Sequence, residues 1–175
     1  MKPPLLSIVG RKGAGKSQVI ENLISDLKAR GLRIGLIKHL AKPGIEIDQP
    51  GKDTYRYRKC GAETVVLSGR NQLAFFSDIA EETPLEKIIL FFEGYDLVLL
   101  EGYLLEPVMK IEVYRAEAGD LLTQKMEHVL AIVSDVRTVS PASHFAPDQS
   151  ASMASWIEDW IQNGTEVNVR KEMHV

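Results

Sequence analysis

The segment Gly10-Arg11-Lys12-Gly13-Ala14-Gly15-Lys16-Ser17 constrains this chain more than any other. It fills the pattern G-x-x-x-x-G-K-S/T at every position. Glycines let a backbone curl until successive N–H groups point at one spot, which makes a nest for an anion. Such a nest needs a strand behind it and a helix starting at its far side, with the helix's positive end facing the anion. Both neighbours are present. Leu5-Leu6-Ser7-Ile8-Val9 is an apolar run of strand length that ends at Gly10. Beyond the loop, Val19, Ile20, Leu23, Ile24 and Leu27 recur with helical period, and Glu21, Asn22, Asp26 and Lys28 fall on the other face. Gly31 suits the stop, and residues 32–38 read as a second strand. In this setting Lys16 would neutralise the β- and γ-phosphates of a nucleoside triphosphate, and the Ser17 hydroxyl would ligate Mg²⁺. The cradle runs through Gly10, Arg11, Lys12, Gly13, Ala14, Gly15, Lys16, Ser17 and Gln18.

The rest of the chain alternates strands and helices. Residues 39–53 hold Pro43, Gly44, Pro50 and Gly51 and read as a long irregular loop. Asp53 is placed to cap a short helix running to Cys60. Residues 63–67 and 72–77 read as two strands joined by Ser68-Gly69-Arg70-Asn71. Thr83-Pro84-Leu85-Glu86 is a capping box, followed by a helix face of Leu85, Ile88, Ile89 and Phe92 that Gly94 ends. Residues 96–100 are the most continuous buried strand, and 109–114 and 128–133 are further strands. Asp148 is placed to cap a last helix bearing Met153, Trp156, Ile157 and Trp160. The expected fold is a three-layer α/β P-loop NTPase fold, with a mostly parallel sheet covered on both faces. The 68–77 hairpin and the 109–114 strand give that sheet a mixed edge. One nucleotide-binding domain over 1–162 and a flexible tail over 163–175 are expected.

Composition narrows the partners. The 175 residues carry a net charge of −3, which offers no overall basic face for nucleic acid. The single cysteine, Cys60, excludes an internal disulfide and a Cys-rich zinc site. No apolar run approaches the ~18 residues of a membrane span, and the N-terminal run is too short for a signal peptide. A cytoplasmic protein with no membrane or nucleic-acid partner is expected.

Several acids bear on a bound triphosphate. Glu101 sits at the carboxyl end of the 96–100 strand, where P-loop folds place an acid that holds Mg²⁺ through water. Asp96 opens that strand and reads as a turn residue. Asp48 and Asp53 lie in the irregular loop. They are candidates for positioning Mg²⁺ (Asp48) or the attacking water (Asp53), and equally for a turn former and a helix cap. His39 has two readings, a phosphate or partner contact and a hydrogen-bonded strand-end residue. Arg56, Arg58 and Lys59, with Tyr55 and Tyr57, form a basic turn suited to an anionic ligand or partner, or to a solvated helix face.

From about residue 4 to about 135 the chain resembles the MobB family, the molybdopterin-guanine dinucleotide biosynthesis proteins B. Besides the loop, the resemblance rests on Gly35-Leu36-Ile37-Lys38-His39, Asp48-Gln49-Pro50-Gly51-Lys52-Asp53-Thr54-Tyr55-Arg56, Cys60-Gly61-Ala62, Leu99-Leu100-Glu101-Gly102 and Lys110-Ile111-Glu112-Val113. Ser17-Gln18 departs from the paired threonines frequent in the family, and serine still serves magnesium. The resemblance implies a homodimeric GTP-binding accessory protein with weak intrinsic hydrolysis. It implies assistance to MobA, which joins GMP to molybdopterin. Asp135, after Ala131-Ile132-Val133-Ser134, stands where an acid would accept from the guanine N1–H and amino group. A small-molecule kinase on the same loop is the alternative. An interaction module with a degenerate site is disfavoured by the complete Lys16-Ser17 pair.

Overall fold

The computed structural model describes residues 2–40, 47–123 and 126–163. The chain divides into two compact units, one of Met1–His39 with Ile89–Val175 and one of Leu40–Ile88.

In the first unit the apolar runs become parallel strands. They are β1 (Leu5–Val9), β2 (Ile34–Lys38), β5 (Leu97–Glu101), β6 (Met109–Val113), β7 (Val129–Val133) and β8 (Ser143–Phe145), ordered β2-β5-β1-β6-β7-β8. Leu6 pairs with Leu99 and Ile8 with Ile111, so these side chains share a face with Leu97, Val113, Ala131 and Val133. Two helices cover that face, α1 (Lys16–Ala29) through Val19, Ile20, Leu23 and Leu27, and α4 (Ser150–Gln162) through Met153, Ala154, Ile157 and Trp160. Nearly all of these side chains are withdrawn from water. Burying each of the valine, leucine, isoleucine and methionine side chains stabilises the fold by about 1.5–3 kcal/mol.

The opposite face is unusual in carrying three buried polar side chains, Ser7, Lys110 and Glu112. Each holds a covering segment. Ser7 Oγ donates to the Tyr103 carbonyl at 3.2 Å. Lys110 Nζ donates to the Glu106 and Val108 carbonyls at 2.7 and 2.9 Å. Glu112 accepts from the backbone of Leu122 and Thr123. A 3-10 helix, Ile89–Phe92, adds its Phe92 ring so close to Gly35 that a Cβ there would lie 2.3 Å from it. The α/β three-layer plan therefore holds, with a third layer of short helices and connecting segments.

The mixed edge needs correcting. Every pairing in the six-stranded sheet is parallel, and β6 lies in its interior between β1 and β7. The short link 102–108 makes an antiparallel return look natural, yet it crosses β1 on the polar face and re-enters parallel. The hairpin, β3 (Thr64–Ser68) with β4 (Leu73–Ser77), forms its own antiparallel sheet in the second unit.

Smaller corrections concern element ends. In the second unit, α2 (Asp53–Lys59) has Lys52 at its N-cap, and Asp53 is its first helical residue, paired with Arg56 at 3.2 Å. The capping-box helix is a single turn, α3 (Leu85–Ile88). Gln149, not Asp148, is the N-cap of α4. Of the expected flexible tail, 163–175, Asn163 is the C-cap of α4 and 164–175 lie outside the described residues, as does 41–46 of the irregular loop.

Candidate functional site

The loop after β1 is shaped by its glycines. Gly10 has φ +146°, and a Cβ there would lie 2.3 Å from the Val113 carbonyl of β6. Gly13 and Gly15 also have positive φ, and nothing lies within 4 Å of where their Cβ atoms would be. The loop thus faces open space, and only glycine adopts this backbone without strain. Ala14 is buried in the core, and its N–H closes the curl on the Arg11 carbonyl at 3.2 Å. Helix α1 starts at Lys16 with Gly15 as its N-cap. Ser17 and Gln18 follow, exposed on the first turn, with Gln18 donating to Asn22 at 3.0 Å.

Lys16 folds back across this curl. Its Nζ donates to the Gly10 and Arg11 carbonyls at 2.8 and 2.9 Å. Burial lowers its pKa below the ordinary 10.5; the negative charge of Glu101 opposes that shift, and Lys38 adds to it. Glu101 ends β5 beside both β1 and β2, paired in register with Ile8 and Lys38. Its carboxylate lies 3.1 Å from Lys38 Nζ, and its carbonyl accepts from the His39 N–H at 2.9 Å. The His39 ring packs against Tyr103, with centroids 5.3 Å apart. These contacts are those of a hydrogen-bonded strand-end residue. Asp96 keeps its turn role, accepting from the Arg33 N–H at 2.7 Å.

On the other side of β1, Arg11 Nε donates to the Asp120 carbonyl at 2.7 Å, and Lys12 is exposed. Asp135 lies two residues past β7, half exposed, with Arg115 Nε 3.9 Å away. The residues Gly10–Ser17, Glu101, Lys38 and Asp135 all lie at the carboxyl ends of parallel strands, where α/β sheets bind ligands. Several cations and one inward acid there suit a multiply charged anion with a divalent metal.

Asp48 and Asp53 belong to the second unit. Asp48 is buried; its Oδ1 accepts from the Gln49 N–H at 2.9 Å and the Thr54 hydroxyl at 3.0 Å, and its Oδ2 lies 3.7 Å from Arg58. Arg58 also binds Asp78, whereas Arg56 and Tyr57 face solvent. The basic turn is therefore not one surface. Sequence reasoning passed over Lys38 and Arg115 as partners of Glu101 and Asp135. The signal for Lys38 was available, because it directly precedes His39 at the end of β2.

The model of molybdopterin guanine dinucleotide synthesis protein B matches residues 5–135. The molybdopterin-guanine dinucleotide biosynthesis adapter protein of Haemophilus influenzae is 31% identical over 162 residues, covering 91% of this chain and 90% of that one. The adapter protein of Escherichia coli is 32% identical over 165 residues, covering 91% and 94%. The crystal structure of a molybdopterin-guanine biosynthesis protein B superposes with a TM-score of 0.72 at 27% identity, over 90% of this chain and 99% of that one. A MobB protein homolog from Bacillus stearothermophilus shares the fold, with a TM-score of 0.71 at 19% identity over 91% and 99%. The matched stretch opens on the first residue of β1 and closes on Asp135, taking in the whole glycine loop and Glu101, and the chain belongs to the MobB family.

Proposed function

We propose that this chain is a GTP-binding adapter in molybdopterin guanine dinucleotide synthesis, with weak intrinsic GTPase activity, acting as a homodimer beside MobA in the cytoplasm. The observation that carries the nucleotide reading is the glycine curl with Lys16 resting on its carbonyls and Glu101 at the end of the adjacent strand. An arriving triphosphate replaces those carbonyls as the partner of the Lys16 ammonium. Loop N–H groups and the start of α1 then face the phosphate oxygens. When bound, Mg²⁺ supplies positive charge against those oxygens. Ser17 and Glu101 would hold it, Glu101 through water, and Lys38 then loses part of its ion-pair partner. The open space at Gly13 and Gly15 fits the bulk of the phosphates.

Asp135 is assigned to the guanine edge, with Arg115 holding it in place. Asp53 is exposed in the second unit and pairs with Arg56, a contact that accounts for it without a catalytic role. The contacts of Asp48 favour the turn-forming role over the metal role. Val66, Leu67, Leu73 and Phe75 on the hairpin are exposed apolar side chains, of the sort a homodimer buries. No described helix is long and apolar enough to cross a membrane.

The test is a calorimetric titration with GTP and with ATP, each with and without Mg²⁺. GTP should bind more tightly than ATP, and Mg²⁺ should strengthen it. A preference for ATP turns the reading towards a small-molecule kinase, and no triphosphate binding removes it.

A further inference from the structure

Glu112 is a carboxylate almost wholly withdrawn from water, one residue before the carboxyl end of the interior strand β6. A buried acid is costly unless hydrogen bonds meet it. Here three donors converge on its two oxygens. The Leu122 N–H lies at 2.6 Å, the Thr123 N–H at 2.7 Å, and the Thr123 hydroxyl completes the set. All three come from one segment, so Glu112 fixes the position of that segment rather than its own strand.

The same segment reaches the glycine loop at its other end. After β6 the chain makes a 3-10 helix, Ala116–Ala118, and turns at Gly119 with φ +109°. Asp120 then presents its carbonyl to Arg11 Nε at 2.7 Å. The Arg11 side chain lies across Gly119 so closely that a Cβ there would meet its Cδ and Nε at 3.1 Å. The carbonyl of Arg11 in turn receives the Ala14 N–H and the Lys16 ammonium. One chain of contacts therefore runs from Glu112 through Leu122–Thr123, Asp120 and Arg11 to Lys16.

We propose that Glu112 is a positioning residue for the phosphate loop, acting by fixing the Asp120 carbonyl that orients Arg11. Arg11 is the loop residue whose main chain closes the curl and holds Lys16. A loop held in its binding shape binds more tightly than one that must first be ordered. The effect on affinity rests on the reading that this loop binds a triphosphate; the effect on Arg11 does not.

The experiment uses the full chain and the variants Glu112→Gln, Thr123→Val, Arg11→Ala, Lys16→Ala and the Glu112→Gln/Arg11→Ala pair. Glutamine keeps the shape but sets an NH₂ against the N–H donors. Mg²⁺-GTP affinity is measured by calorimetry, folding by thermal melting, and exchange of the Arg11 Nε–H by ¹⁵N NMR without nucleotide. Glu112→Gln should weaken GTP binding by roughly two- to thirtyfold, the range of coupling through a packed network. Thr123→Val, which leaves both N–H bonds, should move it less and in the same direction. On the Arg11→Ala background Glu112→Gln should add nothing, whereas a purely structural role would add its full loss. The Arg11 Nε–H should exchange faster in Glu112→Gln and in Thr123→Val. Unchanged Arg11 exchange in both variants overturns the proposal whatever GTP does. If Glu112→Gln does not fold, unchanged exchange in Thr123→Val alone overturns it. An additive loss on Arg11→Ala overturns it as well. Absence of GTP binding to the unaltered chain instead removes the nucleotide reading, and the Arg11 exchange result still decides this one.

Discussion

On the proposed reading, Lys16 carries both triphosphate affinity and its pH dependence. Its ammonium is held by two carbonyls and lies at the edge of the core, and burial lowers its pKa below 10.5. Lys16→Ala should cost about 1.5–3 kcal/mol of triphosphate binding, or one to two powers of ten in affinity, read in the GTP titration. The sign of the pH effect follows from the direction of the shift. Between the lowered pKa and 10.5 the unfolded chain holds the proton more firmly than the folded one, so the contribution of Lys16 to stability rises with pH across that window. Phosphate binding runs the other way, because it needs the ammonium. GTP affinity should fall as pH rises, beginning below the range of an ordinary lysine, and Lys16→Ala should flatten that alkaline limb. Glu101 sharpens the case, since its charge holds the Lys16 pKa up. Glu101→Gln should therefore move the alkaline loss to lower pH, besides weakening the Mg²⁺ dependence of GTP binding. Titrations across pH with and without Mg²⁺ separate the two effects, and an unmoved profile with intact Mg²⁺ dependence would make Glu101 a structural partner of Lys38 alone.

At the scale of elements, the hairpin unit is held by a charge cluster rather than a large core. Arg58 stands between the buried Asp48 and the exposed Asp78, its own side chain mostly covered. Removing one member of such a group leaves a buried charge without its counterpart, at about 3–5 kcal/mol. Arg58→Ala should therefore speed amide exchange through β3 and β4 while leaving β1, β5 and α1 unchanged. Arg56→Ala removes only an exposed pair with Asp53 and should change stability by less than about 0.5 kcal/mol. Equal effects of the two would remove the assignment. The two arginines look alike in the sequence, because i and i+2 on a short helix point to different faces and only the fold says which is covered. The legible parts were those with a local signal. The glycine loop with its strand and helix, the apolar period of α1 and α4, and the continuous run of β5 all declare themselves by pattern. What was illegible depended on distant partners. Ser143–Phe145 is too short and polar to look like a strand, and pairs with β7 only because that edge is offered. Glu112 alternates with Ile111 and Val113 as a solvent-facing acid would, and its burial follows from where residues 122–123 return. Lys38 and Glu101 meet because β2 and β5, far apart in sequence, are adjacent in the sheet.

The whole molecule adds a prediction about rate. Fast phosphoryl transfer in this class needs a cation that reaches the transition state, and such an arginine contributes about 10³–10⁵ in rate. Several arginines here are already engaged elsewhere. Arg30 binds Glu158 and the α4 backbone, and Arg33 binds the Gly94 carbonyl and stacks on Tyr95. Arg58 is held by Asp48 and Asp78, Arg115 lies beside Asp135, and Arg11 is latched to Asp120. Each would have to give up a partner before it could serve γ-phosphate chemistry. GTP hydrolysis by the protein alone should therefore run far below the ~10 s⁻¹ of a median enzyme. On the proposed reading, the chain holds GTP for a partner rather than turning it over. In a reconstitution of guanine dinucleotide formation from molybdopterin, GTP and MobA, adding this protein should raise the yield, and the Lys16→Ala variant should lose that gain. Phosphate release in the absence of MobA, followed over hours, supplies the control. Rapid hydrolysis without MobA would mean that one of these arginines leaves its partner readily, and would turn the reading towards a self-sufficient NTPase. Equal yields with and without the protein would leave GTP binding intact but remove the adapter role, because a chain that only stores nucleotide has no reason to change what MobA makes.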